Sequence, residues 1–119
     1  MDTAARVGFL LMGGMFAYEG LAHLLDLKAL TAFLAERDFP APRLLVPVGS
    51  AVQITAGLAL AFGIARPYAA WALIIFTIVA SLMLLNFWRY SGPERNSLRS
   101  GFIVNIAVIG GLLTAAGAG

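Results

Sequence analysis

Four long apolar runs, residues 7–25, 44–62, 68–88 and 101–117, occupy most of this 119-residue chain and constrain it more than any other feature. About 20 apolar residues in a helix cross the hydrocarbon core of a bilayer. A soluble fold of this length has too little interior to hide them. Apolar residues make up 61% of the chain and charged ones 12%, against roughly 25% charged in ordinary soluble domains. Backbone facing lipid must satisfy its own hydrogen bonds, so each run is expected to be helical and each break to lie at a membrane surface. The expected fold is all-α, an integral membrane four-helix bundle forming a single transmembrane domain over 1–119. Its helices are expected at about 5–26, 44–63, 68–89 and 99–117. Residues 1–25 have the outline of a signal peptide, with Arg6 ahead of an apolar stretch. That stretch is long, carries Glu19 and His23 and precedes three more spans, which favours a retained first helix.

The breaks carry their own signals. Residues 26–43 form a polar connector in which Leu27, Leu30, Phe33 and Leu34 recur at helical spacing. A short helix lying in the membrane interface, at about 27–39, suits that pattern. Pro40 and Pro42 then stop it, because proline disfavours helical backbone in the residue before it. Residues 63–67 are too few to cross anything, which makes the second and third spans an antiparallel hairpin. Small residues four apart, such as Gly13 and Ala17, Gly57 and Ala61, or Ala107, Gly111 and Ala115, allow close helix approach. Small residues are also simply common in membrane helices, so both readings stand for any one pair.

The net charge of +2 does not point to nucleic acid. The Lys and Arg residues sit singly at span ends rather than in a stripe, so no nucleic-acid partner is expected. Lys28, Arg37, Arg43, Arg89, Arg95 and Arg99 lie in the two long loops, and Arg6 and Arg66 on the other side. The positive-inside rule places both long loops in the cytoplasm and both termini outside. With no cysteine, the chain can run no thiol exchange by itself. A lone histidine and the lack of paired-ligand spacing argue against haem or a metal site.

Polar side chains inside the spans are the candidate site. At about 1.5 Å per residue, His23 and Asn86 lie about 5 Å below the long-loop surface. Glu19, Ser50, Ser81 and Asn105 lie about 9 to 12 Å deep, and Gln53 about 15 Å. All four spans therefore contribute polar groups to one half of the bilayer. Ionisable groups there are costly and need a partner or a purpose. One reading is a half-cavity in which these seven residues bind a ligand head group. Another has Glu19 and His23, which share a helix face, handling a proton as catalytic groups. The plainest has the side chains hydrogen-bonding one another to hold the helices in register. Tyr18, Trp71, Trp88 and Tyr90 read as interfacial anchors.

The pieces 14–16 with Glu19-Gly20-Leu21-Ala22-His23, then Phe39-Pro40-Ala41-Pro42, 53–60, 63–67 and 105–113 resemble the DoxX-like small membrane proteins in order and spacing. Members often place Lys where this chain has His23 and Glu where it has Gln53. The resemblance implies a four-helix membrane subunit of the bacterial inner membrane. Relatives include the membrane subunit linked to thiosulfate:quinone oxidoreductase. The expected function is an accessory subunit that binds a quinone- or lipid-like molecule and supports a redox protein partner. The alternatives are a catalytic part of a quinone-reducing oxidoreductase and, last, a small-solute transporter. Beyond the lipid bilayer and a redox protein, a second copy of the chain is a candidate partner.

Overall fold

The computed structural model describes residues 2–118. Five α-helices run in the order α1 (Thr3–Leu25), α2 (Leu27–Glu36), α3 (Pro42–Phe62), α4 (Arg66–Leu84) and α5 (Gly92–Ala118), with a 3₁₀ turn at Phe87–Arg89 before the last. Four of them are long and apolar enough to cross a membrane. The molecule measures 45 × 28 × 19 Å, and its long axis matches a bilayer of about 40 to 45 Å including head groups. The protein is an all-α integral membrane bundle, with α2 as the short helix between the first two spans.

Local chemistry sets the helix ends. The Asp2 carboxylate caps α1 by accepting from the Ala5 amide at 2.7 Å. Gly63 ends α3 in a left-handed conformation (φ 75°), and the Ile64 amide donates back to the Ala59 carbonyl at 2.9 Å. Pro42 and Pro67 sit in the first turns of α3 and α4, where a missing N–H costs nothing. Each of these helices is entered through an alanine held left-handed, Ala41 and Ala65, both at φ 47°.

The last break differs from the sequence expectation. The third span stops being α-helical at Leu84, and α5 begins at Gly92 rather than near 99. The polar stretch from Pro93 to Arg99 forms the first turns of α5, with Pro93 and Glu94 suited to a helix start. The intervening turn is held by edge-to-face aromatic packing of Phe87 with Trp88 and Phe102, at 5.4 and 5.6 Å between centroids.

α1 packs on α3, α3 on α4 and α4 on α5, while α2 lies mainly against α3. The tightest seam is α1 on α3, where Gly13 faces Gly57 and Ala61, and Gly20 faces Ser50 and Gln53. Lipid tails give helices no hydrophobic reason to associate, so contact of this closeness is what holds them. The dense core lies toward the short turn at 63–67. Leu60, Ala70, Leu73, Leu112 and Ala115 are fully buried there, with Phe9 and Phe16 packed around them. Outward-facing residues such as Leu11, Phe62, Ile75 and Ile106 meet lipid. α5 is the least embraced span, with 11% of its most apolar window buried.

Candidate functional site

The other end of the bundle, toward the two longer connections, is looser and carries the polar groups. Glu19 and His23 are one turn apart on α1, with His23 Nε2 3.7 Å from Glu19 Oε2. His23 Nδ1 lies 2.9 Å from Gln53 Oε1 on α3. With the proton on Nδ1, the ring donates to the amide oxygen, and Nε2 can donate toward the Glu19 carboxylate only when it is protonated as well. Gly20 makes this reach possible, because a side chain there would collide with the Ser50 carbonyl and the Gln53 Cβ. The close backbones bring Gln53 within one side-chain length of His23.

Ser81 and Asn105 form a second, separate pair. Asn105 Nδ2 donates to Ser81 Oγ at 2.9 Å, and Ser81 Oγ donates to the Thr77 carbonyl at 2.6 Å. The Asn105–Ser81 bond bridges α4 and α5. Hence the stack of polar residues at similar depth divides around the bundle into an α1–α3 set and an α4–α5 set. Depth follows from counting residues, whereas direction around each helix follows from packing.

Ser50 departs from both pairs. It is 1% exposed, and its hydroxyl has no hydrogen-bond partner among the described residues. Gln53, 5% exposed, meets His23 through its amide oxygen, and its amide nitrogen is a donor. A buried polar group without a partner costs about 1 to 3 kcal/mol.

Ser50, Gln53 and His23 edge a cavity of about 540 Å³ between α2, α3 and α4, within the range of small-molecule sites. Its walls are otherwise apolar: Phe33 and Leu34 from α2, Val46 from α3, and Phe76, Val79 and Met83 from α4. Its lining runs from Leu44 to Gln53 on α3 and from Ala72 to Leu84 on α4, over which the helices rise about 14 to 18 Å. That is one leaflet, half of a hydrocarbon core of about 30 Å. Glu19, Ser81 and Asn105 are not on its wall.

Asn86 belongs elsewhere. With Arg37, Trp88, Arg89 and Tyr90 it lines a second cavity, of about 460 Å³, at the same end of the molecule. Met83 touches both cavities. The apolar walls and this second cavity escaped sequence reasoning. Leu30, Phe33 and Leu34 did stand out by their helical spacing, but as a face turned to the membrane surface rather than as the wall of a cavity shared with α3 and α4. Among the described residues no three His, Cys, Asp or Glu side chains gather as metal ligands would.

Comparison with curated proteins and with solved structures gives no match. The sequence model of one family, DoxX, matches residues 4–86. The match takes in α1 to α4 and the whole wall of the larger cavity, and stops before α5 and Asn105. With well over half of its length matched and a fold of four membrane-spanning helices, the chain belongs to the DoxX family.

Proposed function

We propose that this protein is an accessory membrane subunit that holds a quinone-like molecule in the cavity between α2, α3 and α4 and presents it to a redox partner. The observation that carries the reading is the buried Ser50 hydroxyl, which has no partner among the described residues, one turn from the Gln53 side chain, with both residues lining an otherwise apolar cavity. A carbonyl oxygen on a flat ring would accept from both. The apolar walls would take the ring faces and the start of an isoprenoid tail. An ordinary polar solute would find no such partners along Phe33, Phe76 and Val79. The electrons come from the partner, since the chain has no thiol of its own.

One observation favours a more active version. Glu19 is half exposed, His23 lies beside it, and His23 touches Gln53 at the cavity wall. Glu19 and His23 would carry the proton, with Gln53 orienting the ring at the cavity wall, and this would make the chain part of the catalytic assembly.

The test is the ligand content of gently solubilised protein. Ubiquinone or menaquinone near one per chain is expected, and Gln53→Leu should reduce it about ten-fold. Phospholipid alone across repeated preparations overturns the reading. For the active version, Glu19→Gln should stop turnover of the assembled complex while leaving quinone content unchanged; full turnover overturns it. The two longer connections are assigned to the cytoplasm of a bacterial inner membrane. The chain lacks cysteine, so Ser97→Cys labelled by an impermeant maleimide checks this: labelling only after the inner face is opened agrees, and labelling of intact cells contradicts it.

A further inference from the structure

The second cavity is a site of different chemistry. Arg37 ends α2 and Arg89 ends the 3₁₀ turn, and these two distant parts of the sequence converge on one cavity of about 460 Å³. Neither guanidinium has a carboxylate partner among the described residues. Arg37 is also held in place: its guanidinium carbon lies 4.4 Å from the Phe33 ring centre and 5.1 Å from that of Tyr90. Stacking of this kind occupies the faces of the cation and leaves its N–H edge free, the edge that pairs with phosphate. Asn86 Oδ1 is buried on the same wall without a donor among the described residues.

We infer that this cavity binds the head group of an anionic, hydroxyl-bearing membrane phospholipid. Two unpaired guanidinium groups call for a phosphate whose charge is not cancelled within the head group. The orphaned Asn86 oxygen calls for a donor beside that phosphate, and a glycerol hydroxyl supplies one. Leu82 and Trp88, both half exposed and both on the cavity wall, offer apolar surface for the acyl chains. Met83 separates this site from the larger cavity, so the lipid occupies its own place and does not depend on what the larger cavity holds.

Delipidated protein in neutral detergent, titrated with single lipids and read by native mass spectrometry, tests the inference. Dioleoyl phosphatidylglycerol should be retained about ten-fold more tightly than the phosphatidylcholine or phosphatidylethanolamine of the same chains. The Arg37→Gln, Arg89→Gln pair should erase the preference, whereas Lys28→Gln with Arg99→Gln, which removes equal charge from the same end, should keep it. Equal retention of all three lipids by the wild type overturns the site. Equal loss in both double variants also overturns it, in favour of general surface charge. Displacement of phosphatidylglycerol by millimolar glycerol 3-phosphate would make it a site for free phosphates instead. The wild-type lipid series stands without the variants should the Arg37, Arg89 pair fail to fold.

Discussion

Gly13 of α1 and Gly57 of α3 meet backbone to backbone, each standing where a Cβ on the other would have to go. A Cβ at Gly13 would lie 2.6 Å from the Ala61 nitrogen, and one at Gly57 would lie 2.7 Å from the Gly13 carbonyl oxygen. Both separations are shorter than any side-chain carbon tolerates. The seam therefore depends on glycine at both positions.

Replacing Gly13 by Leu should force α1 and α3 apart and destabilise the protein by roughly 1 to 3 kcal/mol. Gly14, one residue on, has open space around it, and Gly14→Ala should leave stability unchanged or raise it slightly through better helix propensity. Thermal unfolding in detergent, followed by circular dichroism, separates the two. Equal losses would show that glycine content rather than contact matters.

His23 and Gln53 hold the same two helices nearer the longer connections, with Gln53 one turn, about 6 Å, from Gly57. His23→Leu and Gln53→Leu in a double-mutant cycle should show a coupling of about 0.6 to 2 kcal/mol, the range for interhelical hydrogen bonds in membranes. Asn105→Leu combined with Gln53→Leu should be additive, because Asn105 bonds Ser81 on the other side of the bundle. Strong coupling between Asn105 and Gln53 would restore a single polar network.

Ser50→Ala separates a structural role from a binding one. Its hydroxyl bonds nothing among the described residues, so the ligand-free protein should keep its stability or gain up to about 1 kcal/mol. Retention of quinone in the extract should fall at the same time. A loss of stability with unchanged ligand content would mean that the hydroxyl serves the fold.

Ala65 sits at φ 47° in the turn into α4, a conformation that costs an L-residue roughly 1 to 2 kcal/mol. Ala65→Gly should raise the midpoint of thermal unfolding, with the gain reduced by the extra freedom of glycine in the unfolded chain. Gly63→Ala should lower it, since Gly63 is also left-handed and a Cβ there would lie 2.9 Å from the Arg66 guanidinium. Opposite signs at two positions of one turn make the check independent of general loosening.

Hydropathy alone determined that the chain crosses the membrane as four helices, because lipid punishes every unsatisfied backbone group whatever its neighbours do. Residues 63–67 were legible as a turn by length, and Gly13, Ala17, Gly57 and Ala61 as small enough for a close seam. Counting along each helix also assigned the polar residues to one half of the bilayer. Only the tertiary structure decided which of them meet. Gln53 turns toward His23 and Asn105 toward Ser81, because the α1–α3 and α4–α5 contacts set how each helix is rotated about its axis. The same packing set Phe33 of α2 and Met83 of α4 on the wall of one cavity, and Arg37 and Arg89 on the wall of another. Depth depends on one helix at a time, whereas a site depends on how several helices face each other, and that is settled by contacts far apart in the chain.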